Sequence, residues 1–82
     1  MPYIKQKRRR EINPTILNFC PEDPGDLNYV VTVMIDNFIT FKGETYENLN
    51  GMIGALECCK QEYYRRIIAP YEDEKIKENG DV

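Results

Sequence analysis

The chain has 82 residues, 41% of them hydrophobic, and a formal net charge of −3. This length predicts a single small domain, residues 1–82, with a core so thin that self-association is expected. The negative charge argues against a general electrostatic grip on nucleic acid. The absence of histidine removes the commonest general base and the commonest metal ligand of proteins.

The first ten residues form a basic N-terminal arm. Lys5, Lys7 and the run Arg8, Arg9 and Arg10 lie here without an acidic residue, whereas acidic residues are concentrated near the C-terminus. Two interpretations follow from this asymmetry. The two ends are solvated and mutually attractive, or the arm is a binding patch for phosphate or another anion.

A short N-terminal helix is predicted to start at residue 13. Asn13 is a favourable N-cap residue, and Pro14 suits the first helical position. This helix has at most two turns, because Pro21 takes the preceding residue out of the helical conformation.

The first long helix is predicted over residues 24–41. Asp23 and Pro24 are favourable at its start, and Gly43 is typical of its end. Its many β-branched residues make a strand the rival interpretation, but the length and the period favour a helix. An apolar surface this wide needs burial on more than one side, so the sequence predicts a homo-oligomer, with a dimer as the simplest case and a ring as the larger alternative. The periodic apolar residues are Leu27, Val30, Val31, Met34, Ile35, Phe38 and Ile39.

The second long helix is predicted from about residue 46 to 69, antiparallel to the first. Thr45 can cap its start, and its apolar side begins at Leu49 and Met52. A line of small residues lets another helix approach closely. That helix is either residues 27–40 of the same chain or a helix of another subunit. The oligomer-interface candidates on this line are Gly51, Gly54, Ala55 and Cys58.

Pro70 is expected to end or kink the second long helix. Residues 70–82 are then a polar C-terminal turn and tail. The predicted fold is therefore all-α: a small bundle of two long antiparallel helices and a short N-terminal helix, completed by oligomerisation.

Arginine and tyrosine residues are concentrated at both ends of the chain. Arginine side chains suit phosphates, and tyrosine rings stack on bases. In an oligomer, arms from one subunit would meet the Tyr-Arg region of another and surround a small anion, for which a nucleotide is the leading candidate. The candidate anion-binding residues are Tyr3, Lys5, Arg8, Arg9, Arg10, Tyr64, Arg65, Arg66 and Tyr71.

No catalytic, metal or cofactor motif accompanies these residues. The sequence has no CxxC pair, no calcium-binding loop and no phosphate-binding glycine loop. Glu57 is the best-placed acid, and we expect it to be solvated or salt-bridged. We therefore predict a protein that is not an enzyme, has no metal site and needs no cofactor.

The cysteines and the hydropathy pattern indicate the compartment. Cys20, Cys58 and Cys59 are an odd number with two adjacent, which is a poor disulfide framework and is typical of reduced thiols. No stretch approaches the roughly 20 apolar residues that span a bilayer, so no membrane association is expected. These features predict a cytoplasmic protein.

Three segments resemble a family of short uncharacterised proteins. They are MPYIKQKRR at the start, LNYVVT in the middle and LECCKQEYYRRIIAPYEDEKIKENGDV at the end. The family is associated with tailed phages and with bacterial and archaeal genomes. It is a domain of unknown function, so the resemblance implies no catalytic residues.

The resemblance also suggests a biological setting. Small oligomeric phage proteins sometimes inhibit host defence by sequestering nucleotide signals in pockets between subunits. The first functional hypothesis is therefore a phage-type protein of the host cytoplasm that binds a small anion. The alternative is a protein–protein adaptor or assembly component, and a weaker alternative is a nucleic-acid-associated accessory protein.

Overall fold

The computed structural model describes residues 1–82, and every element in it is helical. Helix accounts for 78% of the chain and there is no strand. This confirms the all-α prediction and decides against a strand over residues 24–41. The chain divides into two units, residues 1–43 and residues 44–82.

The N-terminal helix, α1, spans Gln6–Ile16. The prediction that it starts at Asn13 is wrong, and Pro14 lies inside its last turn. The straight-chain residues of Gln6–Glu11 have high helix propensity, and together they outweigh one capping signal further along the chain. Half of the predicted basic arm is therefore helical: Lys5 is the N-cap residue, and the cations from Lys7 onward lie on α1.

The second helix, α2, spans Pro24–Lys42, close to the predicted bounds. The Asp23 carboxylate caps it by accepting a hydrogen bond from the Asp26 N–H at 2.8 Å. Gly43 ends it with φ of 107°, a conformation that favours glycine. The N–H of Gly43 donates to the Ile39 carbonyl at 2.7 Å.

The second unit contains one helix of 34 residues. Its first part, α3, spans Tyr46–Tyr63 and is capped by the Thr45 hydroxyl, which accepts from the Asn48 N–H at 3.1 Å. A π-helical segment, Tyr64–Ile68, follows, and α4 then spans Ala69–Asn79. Most of the region predicted as a polar turn and tail is therefore helical.

Pro70 accounts for the π-helical segment. Proline has no N–H to donate to the Arg66 carbonyl, and in α geometry its ring would clash with that carbonyl. A π turn joins residues five apart instead of four. The N–H of Ala69 accordingly donates to the Tyr64 carbonyl. Pro70 therefore changes the hydrogen-bonding pattern of the helix but does not end the helix.

Neither unit has a hydrophobic core. No residue of the chain is buried. Within the first unit α1 and α2 do not pack against each other, and the second unit is a single helix. The least exposed apolar residues of α2 are only half-buried, namely Val30, Val31, Ile35 and Ile39. The two long predicted helices lie in different units, and their antiparallel arrangement stays a prediction.

Candidate functional site

The predicted anion-binding residues form two groups, one in each unit. The first group, the basic group, lies between Tyr3 and Arg10 in the N-terminal turn and the start of α1. The second, the Tyr-Arg group, lies in and just after the π-helical segment. Its members are Tyr64, Arg65, Arg66 and Tyr71.

Arg9 of the basic group is bound to the backbone. Its Nε donates to the Ile4 carbonyl at 2.8 Å, and its guanidinium also donates to the Met1 carbonyl. These two bonds hold the N-terminal turn against the first turn of α1. Arg9 therefore has a structural role, and fewer of its donors remain for a ligand.

Arg8 is also engaged, but at the surface. Its Nη1 lies 2.7 Å from the Glu11 Oε2, and both side chains remain well exposed to solvent. Exposed pairs of this kind are worth about 0–1 kcal/mol. A strongly charged anion can therefore compete with Glu11 for Arg8.

Three other cations of the basic group, Lys5, Lys7 and Arg10, have no ion-pair partner. Lys7 and Arg10 are three residues apart on α1, so they lie on neighbouring positions of one helix face. The first turn of α1 contains no acidic residue, and Lys5 provides no side-chain cap. Positive side chains thus surround the uncapped N–H groups of a helix N-terminus, where an anion is electrostatically favoured.

The Tyr-Arg group contains one engaged and one available arginine. Arg66 Nη2 lies 3.4 Å from Glu62 Oε1. Arg65 has no ion-pair partner. The Tyr64 ring is half-exposed, and the Tyr71 ring is contacted by the Lys75 ammonium at 5.5 Å from its centroid. Arg65 and Tyr64 are therefore the members of this group that are best placed to meet a ligand or a partner.

The π-helical segment itself was not predicted. Three of the four residues of the Tyr-Arg group lie within it. Such segments are rare and are frequent at functional sites. The signal that could have revealed it is Pro70 in a sequence that remains helical in character on both sides.

The line of small residues on α3 has free space beside it. A Cβ atom added at Gly51 or at Gly54 would meet nothing within 4 Å, and Ala55 and Cys58 are exposed. All three cysteines are free thiols at exposed positions. The line therefore has the space that a close helix–helix approach requires.

Glu57 is salt-bridged, as expected. Hydrogen bonds from Gln61 and Lys60, both at 3.1 Å, together with the charge of Lys60, lower the pKa of the Glu57 carboxyl. These contacts favour the ionised form, which accepts hydrogen bonds and donates none. Glu57 therefore acts as a surface charge, not as a proton donor near neutral pH.

Other features of the surface contain none of the predicted binding residues. An open depression at the start of α2 is lined by Pro21, Glu22, Asp23, Pro24 and Leu27, and its two carboxylates disfavour an anion.

No group of three or more cysteine and acidic side chains is arranged to hold a metal ion. None of the helices combines the length and the apolar character needed to cross a bilayer.

One family model matches the chain along its full length, residues 1–82: Domain of unknown function (DUF6899). The chain belongs to this family. Neither a curated protein nor a solved structure shows significant similarity to it. The expectation of a family of uncharacterised proteins is thus confirmed, and the association of DUF6899 with phages, bacteria and archaea stays a prediction.

Proposed function

We propose that this DUF6899 protein is a non-enzymatic, self-assembling helical protein that binds a small anionic ligand, with a nucleotide as the leading candidate. The observation that carries the proposal is the start of α1. It combines uncapped N–H groups, cations from Lys7 to Arg10 and no acidic residue in the first turn.

This arrangement is electrostatically unfavourable without an anion. Positive side chains at a helix N-terminus oppose the helix dipole by about 0.3–1 kcal/mol each at low ionic strength. A phosphate group bound there accepts hydrogen bonds from the free N–H groups and neutralises the cations. The unpaired side chains of Lys5, Lys7 and Arg10 supply the charge for this contact.

Self-assembly is supported by the exposed apolar surface. Neither unit has a buried residue, and both units have large apolar side chains that are exposed, among them Phe38, Phe41, Ile53 and Tyr63. Neither unit therefore covers its own hydrophobic side chains, and further copies of the chain would supply that cover.

The Tyr-Arg group suits the other parts of a nucleotide, namely a second phosphate group and the base. Arg65 provides a planar donor for a second phosphate, and the half-exposed ring of Tyr64 provides a stacking surface for a base. Assembly would bring basic groups and Tyr-Arg groups of several subunits around one ligand. In a phage-infected host cytoplasm, such a protein would sequester a nucleotide signal of host defence without chemical change.

A nucleotide panel tests the ligand. The chain is heated with mono-, di- and cyclic nucleotides, and a ligand at 100 times its Kd should raise the free energy of unfolding by about 2.7 kcal/mol. The double variant Lys7→Gln/Arg10→Gln should bind about tenfold or more weakly, because charge-assisted hydrogen bonds contribute about 1.5–3 kcal/mol each.

The matched control for this variant is Lys75→Gln/Lys77→Gln. It removes the same charge from α4, where both lysines are paired with glutamates. The control should bind as tightly as the unchanged chain. No thermal shift with any nucleotide, or equal weakening in the two double variants, would contradict the proposal.

A second candidate function is that of a protein–protein adaptor. Tyrosine and arginine are the residue types that dominate binding energy at protein interfaces, and Tyr64 and Arg65 lie together, exposed and without an ion pair. This surface would meet another protein directly, without a small ligand.

The adaptor function predicts a loss of binding in Tyr64→Ala/Arg65→Ala. Removal of two such side chains from the centre of an interface costs about 2 kcal/mol or more, so a captured partner should be recovered at less than one tenth of its normal amount. The control is Tyr46→Ala/Lys77→Ala, which removes an exposed tyrosine and a cation elsewhere on the same helix. Equal recovery of the partner by both variants would exclude the Tyr-Arg group as its binding surface.

A further inference from the structure

The N-terminal turn, residues 1–4, carries the most exposed tyrosine of the chain. Tyr3 is 87% exposed, and no cation lies over its ring, in contrast to the rings of Phe41 and Tyr71. A ring this exposed has both of its faces in solvent, whereas Tyr64 is only 49% exposed. Tyr3 therefore offers the larger free aromatic surface.

Arg9 holds this turn in place. Its Nε donates to the Ile4 carbonyl at 2.8 Å, and the same guanidinium donates to the Met1 carbonyl. The two acceptors are backbone atoms on either side of Tyr3 in the chain. Because consecutive Cα atoms are about 3.8 Å apart, the backbone of Tyr3 stays close to the Arg9 side chain. The position from which the tyrosine ring projects is thereby fixed relative to α1.

The part of α1 that anchors the turn also carries the available cations. Lys5 follows the turn directly, Lys7 and Arg10 lie on either side of Arg9 in the chain, and none of these three has an ion-pair partner. No acidic residue precedes Glu11. The ring of Tyr3 and the unpaired cations therefore belong to one region of the surface, in one unit of a single chain.

We propose that Tyr3 is the specificity-determining residue of the basic group. Its ring stacks on the base of a nucleotide whose phosphate is bound by the cations of the same chain, and Arg9 is the positioning residue. The inference rests on the proposed function and adds that one chain supplies both contacts. Stacking on an aromatic ring tolerates every base, so the ligand class is nucleotides and not the nucleotide of one particular base. The second face of the base remains free for Tyr64 of an assembled subunit.

Tyr46 shows that exposure alone does not make such a site. It is 84% exposed, but it lies at the start of α3 between Glu44 and Glu47. Carboxylates repel a phosphate group, so a nucleotide is disfavoured there. Tyr3 combines near-complete exposure with neighbours along the chain that are cationic. Tyr46 is therefore the matched control for Tyr3.

Two ligands that share a phosphate and a sugar test the role of the ring. They are a nucleoside 5′-monophosphate and ribose 5-phosphate, and titration calorimetry measures the affinity of the full chain for each. The unchanged chain should bind the nucleotide at least about fivefold more tightly, because stacking favours the ligand that has a base. Tyr3→Leu should reduce this preference to less than about twofold and leave the affinity for ribose 5-phosphate unchanged. Tyr46→Leu should retain the full preference.

Arg9→Lys tests the positioning role. Lysine keeps the positive charge but lacks the planar set of donors that reaches both carbonyls. The N-terminal turn would be released, so the affinity for the nucleotide should fall as far as it does in Tyr3→Leu. The affinity for ribose 5-phosphate should stay within about twofold, because the charge of the basic group is unchanged. A purely structural role of Arg9 would lower both affinities together.

Three results would overturn the proposal. A Tyr3→Leu chain that keeps the full preference for the nucleotide would exclude stacking on Tyr3 and leave the proposed function intact. An equal loss of affinity for both ligands in Tyr3→Leu would mean that Tyr3 supports the fold of the turn and does not contact the base. Binding of neither ligand by the unchanged chain would contradict this proposal and the proposed function together.

Discussion

Leu56→Asp should abolish assembly and, with it, most of the helical structure at micromolar concentration. Leu56 lies on an exposed apolar side of the 34-residue helix, and neither unit of the chain has buried residues of its own. We call this side the long-helix stripe; its members are Leu49, Ile53, Leu56, Tyr63, Ile67 and Tyr71. An unpaired carboxylate at a desolvated interface costs several kcal/mol, a large share of the 5–15 kcal/mol that stabilises a typical folded protein. Far-UV circular dichroism and sedimentation should therefore report unfolding and dissociation together.

The control for Leu56→Asp is Asn50→Asp, which introduces the same charge at an exposed position away from the stripe. It should change the free energy of unfolding by no more than about 0.5 kcal/mol. The thermal midpoint of the unchanged chain should also rise with protein concentration, because assembly and folding are coupled. A Leu56→Asp chain that stays helical as a monomer would show that the stripe does not hold the fold together.

Local signals predicted most of α2 and the start of α3. Asp23 and Thr45 each accept the hydrogen bond expected of an N-cap residue, and Gly43 adopts the positive φ expected of a helix end. These interactions form between residues three or four positions apart. Because the partners are fixed by spacing along the chain, the sequence alone is enough to place them.

Two helix boundaries were predicted wrongly, the start of α1 and the end of the second long helix. In each case one or two residues were given more weight than the segment around them. Asn13 and Pro14 form a favourable helix start, but Gln6–Glu11 already propagates a helix through them. Pro70 normally interrupts a helix, but the π turn before it removes the need for its missing N–H. In both cases the helical preference of a longer segment outweighs one local signal.

The sequence alone predicted which residues belong to the candidate site, but it did not show which of them are available for a ligand. Sequence reasoning selected the cations of the arm, but it did not separate Arg9, which holds the Met1 and Ile4 carbonyls, from Lys7, which has no partner. That difference depends on the turn before α1, for which the sequence carries no clear signal. Likewise, the availability of Arg65 follows from the partner that Arg66 has in Glu62.

Pro70→Ala should weaken assembly at least tenfold without any loss of helix. Alanine restores an N–H that can donate to the Arg66 carbonyl, and it is the better residue inside a helix by up to about 3 kcal/mol. The π-helical segment would then relax to α geometry, and every residue after it would turn by roughly 100° about the helix axis. The apolar side chains beyond the segment, Tyr71 and Ile76, would then point in a different direction relative to Leu49, Ile53 and Leu56.

Sedimentation measures the assembly in Pro70→Ala, and circular dichroism measures its helix content. Pro21→Ala is the matched control, because it replaces a proline that precedes α2 and leaves the 34-residue helix unchanged. The expected signature is opposite for the two measurements: equal or greater helicity, with a larger dissociation constant. Simple destabilisation would instead lower the helix content while it weakens assembly, so this combination points to the relative direction of the apolar side chains on the two sides of the π-helical segment. Assembly as tight as that of the control would mean that the π-helical segment only accommodates Pro70 and has no part in the interface.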